Sequence, residues 1–190
     1  MRLHYYRGNI VHAQVDAIVN AANPRMLGGG GVDGAIHRAA GPGLRAACRE
    51  FPELEQGVRI RVGQVRTTEG FDLDADFVIH TAGPIFAGYG IRSLRPGERV
   101  EPRPLNELMH CIVNCLKEAA RIGANRVAFP AISAGVYGGS VSAFAHALHE
   151  AMKQEARLPI EEVQVVLFQD NEFQEFSDWQ ETADDAPPIP

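Results

Sequence analysis

The sequence predicts an α/β protein with helices on both faces of a largely parallel sheet. Two observations carry that expectation. Short apolar runs alternate with segments of helical spacing along the chain. Two glycine-bearing loops each follow an apolar run and precede a helical one. Strands are expected over residues 3–6 and 17–20, the second fully apolar until its last residue and so buried. A helix is expected over 35–40, interrupted at Gly41-Pro42-Gly43 and resumed over 44–51. Residues 61–68 alternate like a strand with one wet face, and 77–81 form another strand. Leu108, Ile112, Cys115, Ala119 and Ile122 recur at helical spacing, and Gly123 follows as a C-cap. Strands over 126–130 and 163–168 flank a helix over 141–156, with Phe144, Leu148 and Met152 on one face.

At 190 residues the chain fits one compact domain, and its 45% apolar content supports a core without disulfide or metal staples. The expected domain spans 1–180, with a disordered tail over 181–190 that is rich in Ala, Asp and Pro. Residues 83–104 form a Gly/Pro/Arg-rich connection longer than the ~12–15 residues usual for a structureless loop. It reads either as a solvated surface loop or as a segment whose Arg92, Arg95, Arg99 and Arg103 meet an acidic or phosphorylated partner. A net charge of −6 argues against broad nucleic-acid binding. Three cysteines without CxxC or metal spacing point to a reducing, cytoplasmic setting and to no metal. Cys111 and Cys115 read as small core residues. No apolar run follows the opening Arg2, so a signal peptide is not expected, and no segment reaches the ~20 apolar residues of a membrane span.

The chemistry is expected at the two glycine loops. In the first, Val19-Asn20-Ala21-Ala22-Asn23 leads to Gly28-Gly29-Gly30-Gly31-Val32-Asp33-Gly34-Ala35-Ile36-His37. Glycines admit a ligand close to the backbone, and a helix start presents free N–H groups to anions. An Asn and an Asp flanking such a loop suit sugar hydroxyls, so a ligand bearing phosphate and sugar is expected. The second loop is Pro130-Ala131-Ile132-Ser133-Ala134-Gly135-Val136-Tyr137-Gly138-Gly139. Its amides from Ser133 through Tyr137 either cradle a pyrophosphate or simply form a turn rich in small residues. Gly29 to Gly34 formally matches GxGxxG, but eight residues separate strand from glycines and no acid ends a second strand at the right distance. That excludes a nicotinamide-dependent oxidoreductase. No Lys-Ser or Lys-Thr closes the loop, which excludes a P-loop.

Together with Gly8-Asn9-Ile10, Val15-Asp16-Ala17-Ile18 and His80-Thr81-Ala82-Gly83-Pro84, these motifs resemble macrodomains. More closely, they are similar to the MacroD-type hydrolases of O-acetyl-ADP-ribose and of ADP-ribosylated carboxylates. The resemblance covers about residues 3–176. It implies a three-layer α/β/α sandwich around a mixed, mostly parallel six-stranded sheet, with an ADP-ribose cleft at the carboxyl edge. It implies that Asn23 bonds the distal ribose and that Asp33 orients water beside the anomeric carbon. His37, one helical turn after Asp33 on the same face, joins Asn23 and Asp33 as a catalytic candidate, either holding the Asp33 carboxylate by a hydrogen bond or merely packing. The resemblance lays Ala22, Gly30, Gly31, Val32 and Gly34 along one side of the ligand. Ser133, Ala134, Gly135, Val136 and Tyr137 take the phosphate and distal ribose. Phe168 stacks on adenine and Ile10 packs on its other side. His80, within an apolar strand, reads as a satisfied core histidine.

Two positions depart from the family pattern. Asn9 replaces the usual Asp that accepts from the adenine amino group, and Ala134 replaces a Thr. The amide oxygen of Asn9 still accepts, without charge assistance. The expected activity is hydrolysis of the ester between ADP-ribose and an Asp or Glu side chain or acetate. Water would stand between Asp33 and the substrate pyrophosphate, with no metal, no cofactor and no covalent intermediate. The partners would be ADP-ribose, O-acetyl-ADP-ribose and mono-ADP-ribosylated proteins, acted on by a monomer. The alternatives are a non-catalytic ADP-ribose reader and an ADP-ribose 1''-phosphatase.

Overall fold

The computed structural model describes residues 1–88, 95 and 103–184. Six strands form one sheet: β1 (Arg2–Arg7), β2 (Ala17–Ala21), β3 (Val65–Glu69), β4 (Phe77–Thr81), β5 (Arg126–Phe129) and β6 (Glu162–Leu167). Their order is β1-β6-β5-β2-β4-β3. All neighbours are parallel except β3, which runs antiparallel to β4 at one edge. The sheet is therefore mixed and mostly parallel, as expected. Helices α1 (Gly31–Ala39) and α2 (Gly41–Glu50) cover one face. Helices α3 (Arg103–Arg121), α4 (Val141–Gln154) and α5 (Asp170–Asp184) cover the other.

The period-two alternation of the strands divides the core in two. Val19, Ile79, Val127, Phe129, Val163 and Val165 point into a layer shared with α3, α4 and α5. Ile18, Val78, Ala128 and Val166 point the other way, onto Ile36, Ala40, Leu44 and Cys48 of α1 and α2. Both layers are closed to solvent, as parallel sheets require.

Four local expectations need correction. Helix α1 begins at Gly31, not at 35, because Gly30 supplies the extended N-cap backbone. Gly41-Pro42-Gly43 does not separate two pieces of one helix; it opens α2, with Gly41 at φ +74° turning the chain and Pro42 in the first turn, where its missing N–H is harmless. Gly43 is also needed there, since a Cβ would stand 2.5 Å from the Phe71 ring. The strand expected over 61–68 forms over Val65–Glu69, with Val62 making only an isolated bridge to Ala82. Residues 181–184, expected in a tail, continue α5. Phe173, Phe176, Trp179 and Ala183 recur at helical spacing and dock that helix on the core. Residues 185–190 lie outside the described residues. Gly123, at φ +78°, does follow α3 and caps it through the Ala124 amide on the Ala119 carbonyl (2.9 Å). No described helix is long and apolar enough to cross a membrane.

Candidate active site

Asn20 and His80 are register partners on β2 and β4. Each lies two residues beyond an apolar residue of the α1–α2 face, so both side chains leave the sheet on that face. Both are fully buried. The Asn20 Nδ2 donates to Asp33 Oδ1 at 2.8 Å and faces His80 Nδ1 at 3.1 Å. The group facing a carboxylate must be the NH2, and its second hydrogen then makes His80 Nδ1 an acceptor. The His80 proton consequently sits on Nε2, 3.1 Å from Thr68 Oγ1. Burial pushes the His80 pKa down to about 3, so the ring is neutral in the folded protein. His80 is thus a satisfied core histidine, as expected, and it also orients the amide that holds Asp33.

Asp33 stands in the first turn of α1, where the helix dipole favours a carboxylate. Its second oxygen, Oδ2, accepts from Asn23 Nδ2 at 3.0 Å. Two amide donors, one on each oxygen, fit the ionised form, which only accepts. Burial nevertheless raises the Asp33 pKa, opposed by the Asn20 hydrogen bond and by the nearby His37 and Arg45 side chains. Asn23 also donates to the Gly28 carbonyl (3.2 Å) and accepts from the Arg25 amide (3.0 Å). Both of its hydrogens are engaged inside the protein, leaving an oxygen lone pair for a ligand hydroxyl.

His37 lies one helical turn after Asp33. Its Nε2 is 3.5 Å from Asp33 Oδ1, an ion-pair distance but not a hydrogen bond. Burial lowers the His37 pKa, so the ring is neutral near pH 7 and packs beside the carboxylate. Of the two placements the sequence left open, packing is the one observed.

The glycines give this cluster its clearance. A Cβ on Gly29 would stand 2.9 Å from Asn23 Nδ2 and 3.2 Å from Asp33 Oδ2. A Cβ on Gly34 would lie 2.3 Å from the Gly29 carbonyl oxygen. Gly30 and Gly31 are exposed, with open space around them. Val32 is half-buried against the α1–α2 core. Ala22 is buried, and its amide is engaged by the Asn20 and Thr81 carbonyls (2.9 Å each). It therefore shapes the loop rather than offering a donor.

The second loop leaves β5, the strand beside β2, so both loops open at the same carboxyl edge of the sheet. Ser133 is buried in a left-handed conformation (φ 64°) and packs against Gly83, where a Cβ would stand 2.3 Å from Ser133 Oγ. The Ala134 amide closes a turn on the Ala131 carbonyl (3.2 Å), and the Tyr137 carbonyl accepts from Phe86 and Ala87. Gly135 is exposed, Val136 is 98% exposed and Tyr137 is half-buried. On the third side, the Gly8 amide bonds the Leu167 carbonyl (2.9 Å), which sets Asn9 beside the end of β6. Phe168 follows β6 and is 70% exposed, so its ring is open to a ligand at the carboxyl edge. Asn9 Oδ1 caps the 3-10 turn Ile10–His12 through the Val11 amide (3.3 Å). Ile10 is 4% exposed and belongs to the core, so the structure does not present its side chain at the cleft.

Sequence reasoning passed over Asn20 and Gly29. The signal for Asn20 was its position, two residues after Ile18 on a strand otherwise wholly apolar. Cys111 and Cys115 are buried, with thiols that burial pushes up, in keeping with core roles. Cys48, 3.8 Å from His80 Nε2, has its thiol pushed up to about 12 and is no nucleophile at neutral pH. Of the expected arginine-rich connection, Arg92 and Arg99 lie outside the described residues. Arg95 is exposed, and Arg103 opens α3, paired with Glu107 at 2.8 Å.

The family profile described as Macro domain matches residues 19–148. A macro domain-containing protein of Xanthomonas campestris is 48% identical over 138 residues, spanning 73% of this chain and 71% of its own. An O-acetyl-ADP-ribose deacetylase of Cronobacter sakazakii is 47% identical over 137 residues, spanning 72% and 69%. The solved Oceanobacillus iheyensis macrodomain with ADP superposes with a TM-score of 0.80 at 34% identity, covering 94% of this chain and 90% of that one. With this sheet order, this glycine loop and these relatives, the chain belongs to the macrodomain family.

Proposed function

We propose that this macrodomain hydrolyses the ester joining the distal ribose of ADP-ribose to an Asp or Glu side chain or to acetate. The observation that carries the reading is Asp33, a buried carboxylate aimed by Asn20 on one oxygen and by Asn23 on the other. Raised by burial, the Asp33 carboxylate is a better base than a free one, which suits orienting and partly deprotonating a water. The Asn23 oxygen takes a ribose hydroxyl, and the glycines leave room for the ribose against the backbone. The amides of Gly135, Val136 and Tyr137, at the open end of the second loop, take the pyrophosphate, and Phe168 stacks on adenine. The names of relatives, including the Cronobacter deacetylase and an ADP-ribose glycohydrolase of Xenopus laevis, support the same class of reaction. The reading uses no metal or cofactor and no covalent intermediate.

The test is incubation with a protein ADP-ribosylated on glutamate, following release of free ADP-ribose, beside Asn23→Ala and Asp33→Ala. Release by the parent and not by the variants is expected. Tight binding without release would make the protein a reader, and release by both variants at the parental rate would move the active site elsewhere.

A further inference from the structure

Behind the glycine loop, on the outer side of α1 and α2, lies a cavity of about 480 Å³. Its walls are the backbone of Gly28, Gly29 and Gly34 and the side chains of Arg38, Arg45 and Arg49. His37 contributes its ring to the same surface. The three arginines are exposed and make no ion pair among the described residues, as is also true of the scattered Arg25, Arg66 and Arg157, whereas Arg2, Arg7, Arg59, Arg61, Arg121 and Arg126 have acidic partners. Arg45 and Arg49 stand one turn apart on α2, a like-charge arrangement that costs a helix stability when nothing neutralises it. One guanidinium reaches the loop and another the first turn of α1. Arg45 Nη2 lies 3.3 Å from where a Cβ of Gly28 would be, and Arg38 Nη1 lies 3.1 Å from that of Gly34. An acid, Asp72, stands beside Gly41 at one end of the groove. A protein of net charge −6 thus concentrates unpaired positive charge at one groove.

We propose that this groove docks acidic side chains of the polypeptide that carries the ADP-ribose, flanking the modified residue. The inference rests on the hydrolase reading above and names its substrate class. Gly28 and Gly29 line the groove, while the Gly28 carbonyl and the space over Gly29 also border the Asn23–Asp33 pair. A chain attached at the ribose has only the thickness of that loop to cross. The cavity falls within the ~300–1,000 Å³ of ligand sites, too small for a duplex and ample for a few carboxylate side chains. Planar guanidiniums suit carboxylates through paired N–H donors.

The test compares two peptides bearing ADP-ribose through a non-hydrolysable linkage, one with Asp and Glu flanks and one with Asn and Gln flanks. Affinities are measured by calorimetry for the parent and for Arg38→Gln/Arg49→Gln, which leaves Arg45 and its field at Asp33 in place. The parent should bind the acidic peptide about tenfold more tightly at low salt, a gap that narrows in high salt. The double variant should lose most of that gap while keeping its affinity for free ADP-ribose. Equal binding of the two peptides by the parent, or a gap unchanged in the variant, overturns the inference. Because the readout is binding, a failure to hydrolyse the ester would defeat the catalytic reading without touching this comparison. A failure to bind free ADP-ribose would defeat both.

Discussion

The two faces of the sheet are built from the same strands and behave as different materials. The α3–α4–α5 face takes Val19, Ile79, Val127, Phe129, Val163 and Val165 and is mostly apolar, with Thr81 buried beside Cys111 and Cys115 and Thr67 bonded to Glu118 as its polar exceptions on β3 and β4. The α1–α2 face begins the same way with Ile18 and Val78, but at the carboxyl edge its next residues are Asn20 and His80. There the apolar layer gives way to a hydrogen-bonded chain from Thr68 through His80 and Asn20 to Asp33. The difference separates two tasks. One face supplies stability through close packing, and the other supplies a carboxylate of set position and proton affinity. Buried polar groups are costly unless satisfied, so such a chain is confined to the place where it is used.

The comparison can be broken from either side. Asp33→Ala should lower turnover about 10³-fold, with an unchanged circular dichroism spectrum, because it removes the group proposed to orient water. Phe129→Ala, on the opposite face, should cost about 3–4 kcal/mol of stability in urea denaturation, and turnover per folded molecule should stay near the parental value. If Phe129→Ala impaired the chemistry as much as Asp33→Ala, the two faces would not be separable.

A third experiment sharpens the electrostatic half. His80 titrates near 3 in the folded protein and near 6.5 when unfolded. Between those values the unfolded chain binds the extra proton, so this group destabilises the fold as pH drops below about 6.5. The slope from one such group is at most ~1.4 kcal/mol per pH unit. His80→Gln should flatten the loss of stability between pH 6 and 4, measured by urea denaturation at each pH. An unchanged slope would mean that another group governs acid unfolding. Asp33 acts with the opposite sign, since its raised pKa favours the fold on the acid side of its window. In activity the same raised pKa should place the acid limb of the pH–rate profile above the usual range of an aspartate.

The smallest expected effect lies at the rim. Asn9→Asp keeps the cap on the Val11 amide and adds charge to the acceptor proposed for adenine. ADP-ribose should bind about 1 kcal/mol more tightly by calorimetry. Equal or weaker binding would mean that position 9 serves only the turn at Ile10–His12.

Much of this was legible in the sequence because the signals were local. Alternating apolar runs and helical spacings marked five of the six strands near their observed places, and the two glycine loops marked the carboxyl edge. Asn23, Asp33 and His37 were legible because they sit within fourteen residues of one another on a loop and the helix it opens. The misplacements were also local in origin. Gly41-Pro42-Gly43 reads as a break in either arrangement, and only the left-handed φ at Gly41 shows a turn between two helices. Helix α5 was hidden by its acidic composition, although Phe173, Phe176 and Trp179 carried its apolar stripe.

By itself, then, the sequence determined the α/β class, the two loops and the residues of the candidate site, since each depends on neighbours close along the chain. Tertiary structure decided how those residues are used. It paired Asn20 with His80 across two strands sixty positions apart and set the tautomer that lets Asn20 hold Asp33. It closed Ile10 into the core and left Phe168 open. It brought Arg38, Arg45 and Arg49 of two helices around one groove. Registers, buried hydrogen bonds and the summed field of charges arise from contacts between distant segments, and no spacing within a segment encodes them.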